Sequence, residues 1–226
     1  SLFKVNAPPQ IADKTINKIQ FIVYECILSY PLHIIIMKIL SINISEPKKI
    51  IFNGKELITS IYKKPVDKSV ELTDLGIMGD QQADLKVHGG YDKAVYVYSH
   101  KHYQLWSEKL KRNFDEFGLV GENLTIDDFN EEKINIGDEF SVSDCILKIT
   151  QPRIPCYKLG IKMNDRNFPK NFSQSGRTGA YMKVLKTGKI SPGDSLDLIK
   201  KEKNSMSIYE ITDLLYIDID NIDKMK

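Results

Sequence analysis

Short apolar runs, each closed by Gly, Asp, Asn or Pro, recur from Met37 to Ile199, and this punctuation confines the chain to a fold built mostly of strands. The first run, Met37-Lys-Ile-Leu-Ser-Ile-Asn-Ile44, alternates as a half-buried strand does. In Ile50 to Ile58 the pair Asn53-Gly54 divides two apolar halves. A type I′ turn needs φ > 0 at both central residues, so this spacing predicts a hairpin. Further β-like runs cover Ala94 to Tyr98, Glu139 to Val142, Cys145 to Thr150, Ala180 to Leu185 and Ser195 to Ile199. Gly-Asp pairs beginning at Gly79, Gly137 and Gly193 mark turns between them. The 94–98 run is apolar at every position, as expected of a strand covered on both faces. Many short strands and few helices predict a closed or nearly closed β-barrel, which removes exposed edges. The expected class is mainly β with some helix and a short C-terminal helical tail.

One helix interrupts the pattern. Ser99 can cap a segment running to about Arg112, whose Tyr103, Trp106 and Leu110 fall on one stripe. A second helix fits residues 164–174. Beyond Lys200 a polar link, Lys200-Lys-Glu-Lys-Asn204, leads into Ser207-Ile-Tyr-Glu210, which reads as a capping box. Ile208, Ile211, Leu214 and Leu215 then give a helical face. The expected organisation is an extension over 1–36, one barrel domain over 37–200, and a linker with a partial helical segment over 201–226. Residues 21–37 are apolar, but Glu25, Pro31 and His33 interrupt them, whereas a membrane span needs about 20 mostly apolar residues. No clear secretory signal is present either.

The charge balance excludes some partners. Net charge is +2 with a pI near 8.2, too little for a field that draws in nucleic acid or an acidic membrane. Cys26, Cys145 and Cys156 form no C-x-x-C, which argues against a disulfide framework or a structural zinc site and suits a reducing cytoplasm. There is no P-loop, G-x-G-x-x-G or H-E-x-x-H.

Chemistry concentrates in Gln151-Pro-Arg-Ile-Pro-Cys-Tyr-Lys-Leu159. Pro155 limits where the Cys156 thiol points, and Arg153 and Lys158 favour its thiolate. His88 precedes two glycines in Asp84-Leu-Lys-Val-His-Gly-Gly90, downstream of Asp80 and close to Lys86 and Lys93. His100 and His102 stand two apart at a helix start, point to different sides, and read as surface or capping residues. Gly121-Glu-Asn123 is a short polar turn. Ser175-Gly-Arg-Thr-Gly179 is a flexible cationic loop whose backbone N–H groups, with Arg177, are expected to form an anion nest. A soft thiolate, an anion-holding loop and several cations together suit an anionic cofactor whose metal prefers sulfur.

The ordered set Gly79-Asp80, Lys86-Val-His-Gly-Gly90, Lys93-Ala-Val-Tyr96, His102-Tyr103, Trp106, Gly121-Glu-Asn123, Gln151-Pro-Arg153, Pro155-Cys156 and Gly176-x-x-Gly179 resembles the MOSC domain, and within it the YiiM-type branch. The likeness covers about residues 37–200. It implies a β-barrel-like fold that binds the molybdenum cofactor, molybdopterin, with Cys156 as the protein ligand to the metal. Arg153, Lys158, Lys86, Lys93, Asn123, Arg177 and Thr178 are the implied cofactor-binding residues, and His88 or Asp80 would handle protons. The implied reaction is reduction of a small N-hydroxylated substrate such as 6-hydroxylaminopurine. With no flavin or iron–sulfur motif in these residues, electrons are expected from a separate reductase. Pyridoxal phosphate is not expected, since no aminotransferase-like segment is present. Residues 1–36 fall outside the family pattern, and the three-helix segment usual after the barrel is represented only by its start. Two other readings stay open on the residues alone: a non-catalytic carrier of the cofactor or its sulfur, and a metal-free thiol enzyme pairing Cys156 with His88.

Overall fold

A computed structural model describes residues 35–84 and 89–217 of the chain. Lys86 and His88 lie outside the described residues, as does most of the expected N-terminal extension.

The apolar runs become strands. They are β1 (Ile36–Ile44), β2 (Lys48–Phe52), β3 (Lys55–Thr59), β4 (Lys64–Val66), β5 (Val70–Thr73), β6 (Gly76–Ile77), β7 (Val95–Ser99), β8 (Leu124–Ile126), β9 (Glu139–Val142), β10 (Cys145–Pro152), β11 (Ala180–Lys186), β12 (Gly188–Ile190) and β13 (Ser195–Lys200). Four helices join them: α1 (Lys101–Leu110), α2 (Tyr157–Met163), α3 (Phe168–Gln174) and α4 (Ile208–Tyr216). A short 3₁₀ turn occupies Tyr91–Lys93.

Seven strands close in the order β13-β9-β10-β11-β7-β8-β1, and β1 returns to β13 through Ile36↔Asp197, Met37↔Leu196 and Lys38↔Ser195. The expected barrel is therefore present and closed. All its pairs are antiparallel except β7–β8, where α1 provides the crossover a parallel pair requires. β4 extends the sheet from β1, while β5, β6 and β12 form a small separate sheet. In the β2–β3 hairpin, Asn53 and Gly54 have φ of 50° and 74°, as the Asn-Gly signal requires.

Every residue of β7 is buried. Tyr96 and Tyr98 join Tyr103 and Trp106 of α1 and Leu159, Phe168 and Phe172 of α2 and α3 in one aromatic-rich cluster outside the sheet. This explains why the strand is apolar at every position: helices cover its second face. Trp106 Nε1 donates to Tyr98 Oη at 2.7 Å, so the buried indole N–H is satisfied.

Three local expectations are corrected. Ser99 does not cap α1. It is the last residue of β7, paired with Ile126, and His100 takes the N-cap position without a side-chain bond. The helix expected over 164–174 starts only at Phe168, and a separate helix, α2, precedes it, because Asn164 in the left-handed region (φ 49°) ends α2 and Pro169 sits in the first turn of α3. His102 is not a surface residue: it is 5% exposed and its Nε2 lies 3.0 and 3.1 Å from the two carboxylate oxygens of Glu131. The capping box at Ser207 and Glu210 forms in full. Among the described residues no helix is long and apolar enough to cross a membrane.

Candidate functional site

β10 ends at Pro152, and the chain leaves the barrel through Arg153, Ile154 and Pro155 before entering α2 at Tyr157. Cys156 occupies the N-cap position of that helix in extended conformation, partly exposed to solvent. It opens onto a cleft whose described lining includes Thr59, Ser60, Ile61, Lys63, Lys93, Tyr96, Asn123, Arg153, Lys158 and Tyr181. Counting the open solvent at its mouth, the space inside the cleft is about 620 Å³.

Arg153 is only 7% exposed. Its Nη1 donates to Val120 O at 2.6 Å, and its guanidinium lies over the rings of Tyr96 (4.7 Å) and Phe172 (5.9 Å). Burial opposes its charge, but the Tyr96 and Tyr181 hydroxyls and the Cys156 sulfur more than offset this, so Arg153 stays firmly protonated. Burial pushes both tyrosines upward, which keeps them neutral. The sulfur therefore shares its cleft with a fixed cation rather than a solvated one.

A second buried cation was not legible in the sequence. Lys63 is 8% exposed, lines the cleft and is ion-paired with Asp80. Burial lowers its pKa despite that partner. Asp80 is tied on its other sides, accepting from Ser45 N (2.8 Å) and from Asn123 Nδ2 (2.9 Å). Asn123 in turn accepts from Tyr96 N through Oδ1 (3.1 Å) and donates to Asn43 O (3.3 Å). Asp80 and Asn123 thus act by holding Lys63 and the strand ends in place. The Gly121-Glu-Asn123 turn also contributes Glu122, which is fully buried and accepts from Tyr103 Oη, from Thr125 Oγ1 (2.9 Å) and from Val120 N (3.0 Å).

Of the residues expected at the site, Cys156, Arg153, Lys158, Lys93 and Asn123 come together, with Asp80 just behind them. Arg177 and Thr178 do not. Thr178 is buried and its carbonyl accepts from Tyr96 Oη at 2.7 Å. Arg177 lines a different depression, beside Asp128, Glu131 and Glu132. The expected anion nest is not available there. Gly176 N donates to Ser173 O (3.2 Å), Arg177 N to Ser175 Oγ (3.1 Å) and Gly179 N to Glu131 Oε1 (3.1 Å), so these donors are already used. Lys63, Ser60, Tyr96 and Tyr181 are among the lining residues that sequence reasoning did not assign. The Lys63-Lys64-Pro65 run looks like an ordinary solvated loop, and nothing nearby announces Asp80 as the partner.

The donor set fits an anionic, sulfur-bound group. Cys156 offers a soft ligand, and Lys63, Lys93, Arg153 and Lys158 supply positive charge around it. Ser60 Oγ is buried without a hydrogen-bond partner, an orphaned polar atom in the wall of the same cleft. Among the described residues no cluster of three or more His, Cys, Asp or Glu is positioned to hold a metal ion. A metal bound at Cys156 would bring its remaining ligands with it.

The chain belongs to the MOSC domain family, whose profile matches residues 84–197. It is 38% identical over 184 residues to the uncharacterized protein YflK of Bacillus subtilis, covering 81% of this chain and 83% of that one. It is 34% identical over 145 residues to protein YiiM of Escherichia coli, covering 63% and 65% respectively. A Gibberella moniliformis protein named "Reductase" is 33% identical over 161 residues, which are 70% of this chain and 28% of that longer one. Among solved structures, YiiM from Geobacillus stearothermophilus superposes with a TM-score of 0.69 at 32% identity, covering 84% of this chain and 88% of that one. MOSC domains are associated as a family with binding of the molybdenum cofactor.

Proposed function

We propose that this chain binds the molybdenum cofactor and is an oxidoreductase that reduces N-hydroxylated compounds, with electrons from a separate reductase. The observation that carries the reading is the partly exposed Cys156 in a cleft walled by Arg153, Lys63, Lys93 and Lys158. Membership of the MOSC family and likeness to a protein named "Reductase" support it.

Cys156 would hold the metal. Arg153, fixed by Val120 O and the Tyr96 ring, would set charge beside the sulfur, while Lys63, Lys158 and Lys93 would hold the anionic part of the cofactor. When bound, the cofactor supplies two-electron redox chemistry; the protein binds, orients and tunes. Breaking an N–O bond also takes up two protons: R–NH–OH plus two electrons and two protons gives R–NH₂ and water. His88 and the Lys63–Asp80 pair are the proposed proton-handling groups; a pH–rate profile without any group titrating near neutrality would remove His88 from that role.

The test is metal content together with 6-hydroxylaminopurine reduction by an artificial electron donor, for wild type and Cys156→Ser expressed in cells that make the cofactor. Near-stoichiometric molybdenum and turnover, both lost in the variant, are expected. Metal without turnover would instead indicate a carrier.

A further inference from the structure

Two buried carboxylates, Glu122 and Glu131, stand outside the described lining of the cleft, and each meets a residue of the first turn of α1. His102 Nε2 lies 3.1 and 3.0 Å from the two oxygens of Glu131, and Tyr103 Oη donates to Glu122. Burial and the adjacent Glu122 charge push the Tyr103 hydroxyl upward, so it keeps its proton and stays a donor. A buried carboxylate is costly unless its lone pairs are filled, and here backbone amides help to fill them.

Each carboxylate leads to Arg153 through one short segment. Glu122 Oε2 accepts from Val120 N at 3.0 Å, and Val120 O accepts from Arg153 Nη1 at 2.6 Å. Tyr103 Oη also accepts from Leu119 N at 3.1 Å, so the segment that meets the guanidinium is held at both residues. On the other side, Glu131 Oε1 accepts from Gly179 N at 3.1 Å, and Gly179 O accepts from Arg153 N at 3.3 Å. Thr178 O accepts from Tyr96 Oη at 2.7 Å, and the Tyr96 ring lies 4.7 Å from the guanidinium. Gly179 has φ +64°, and a Cβ there would lie 2.2 Å from Val97 O, so this turn sits hard against β7. The head of Arg153 is thus tied back to Glu122 and Tyr103, and its backbone to Glu131 and His102. His102 and Tyr103 are consecutive, so one helical turn backs both supports.

We infer that Glu131 with His102, and Glu122 with Tyr103, are positioning residues that set Arg153 beside Cys156 from outside the cleft. A functional group must be held to within about 0.5 Å by the residues behind it, and these two pairs supply that hold. The inference deepens the proposed site, because it rests on Arg153 as the charge beside the sulfur.

The probe is Cys156 itself, in full-length protein purified from cells that cannot make the cofactor. Its alkylation by anionic iodoacetate is compared with that by neutral iodoacetamide at one pH, read by mass spectrometry of the peptide that carries it. Both reagents attack the thiolate, so its population cancels in the ratio, which reports the positive charge around the sulfur rather than stability. Arg153→Gln should lower the ratio about fivefold, the effect of one unit charge a few ångströms away in water. Glu131→Leu leaves Gly179 N without its acceptor and should lower the ratio at least about threefold, whereas the amide oxygen of Glu131→Gln still accepts and should keep it near wild type. Tyr103→Phe, which removes a single oxygen, should lower the ratio about twofold and decides the matter if Glu131→Leu does not fold. A wild-type ratio in folded Glu131→Leu and in Tyr103→Phe would overturn the inference and leave Arg153 in its role. Equal losses in Glu131→Leu and Glu131→Gln would also overturn it. An unchanged ratio in Arg153→Gln would overturn it together with the charge role proposed for Arg153, so the two failures are told apart.

Discussion

Lys162 is a cation that the fold has largely removed from water. Its ammonium donates to Ile61 O and Gly118 O and stands 5.7 Å from the Tyr62 ring centroid. Burial lowers its pKa from 10.5 to about 8, with Glu122 opposing the shift and Arg153, Lys64 and Lys63 reinforcing it. The unfolded chain therefore binds more protons than the folded chain between about pH 8 and 10.5, and stability rises with pH across that window. The charged form costs at most about 3 kcal/mol below pH 8. Urea midpoints at pH 7.5 and pH 10 should show the gain in wild type, and Lys162→Met should lack it. The Lys63–Asp80 pair behaves differently, because removing one partner leaves an uncompensated buried charge. Asp80→Ala should cost about 3–5 kcal/mol, and adding Lys63→Met should recover much of that loss in a double-mutant cycle. At this scale Cys156, Arg153 and Lys158 were legible because they sit within five residues of one another and their chemistry is local. Lys63 and Ser60 were not, since what distinguishes them is burial against residues far along the chain. Arg177 was misread for the opposite reason: its loop has the composition of an anion site, but internal acceptors and Glu131 have taken its amides.

Two glycines separate turn chemistry from packing at the scale of the elements. Gly54 has φ +74° and open space around its missing Cβ, so Gly54→Ala should cost only the backbone term, about 1 kcal/mol. Gly121 has φ +87° and a Cβ site crowded by the side chain and carbonyl of Ile61, so Gly121→Ala should cost more, about 2–3 kcal/mol. Urea melts of the two variants check the order. Ser207→Ala should cost about 1 kcal/mol, since the Ser207 hydroxyl accepts from Glu210 N at the start of α4. The longer strands were legible from period and punctuation, and β9, only four residues long, falls on its expected residues because Gly137-Asp138 and Ser143-Asp144 bracket it. The short strands β4, β5, β6, β8 and β12 were not, because two to four residues cannot display a period. Ser99 had a cap's side chain, but its place in the β7–β8 ladder overrode that preference.

For the whole molecule the decisive contact is the closure of β1 on β13. It uses Ile36, Met37 and Lys38, so the strand begins one residue before the position where alternation first reads cleanly. A chain starting at Ile35 keeps the closing pairs and should unfold cooperatively, whereas one starting at Ser41 loses them and should lose cooperative unfolding. Differential scanning calorimetry of the two truncations reads this directly. The barrel was legible as a class because closed sheets solve the edge problem that many short strands create. Its strand order was not, since β13 pairs with β9 and also with β1 at the far end of the domain.

β10 and β11 pair from Ile146↔Lys186 to Pro152↔Ala180, and residues 153–179, with Cys156, Arg153, α2 and α3, are spliced between the ends of these two neighbouring strands. The reactive cassette therefore enters and leaves the scaffold at one doorway. Selection, or an engineer, can exchange its contents while the strand pairings that carry the frame stay as they are.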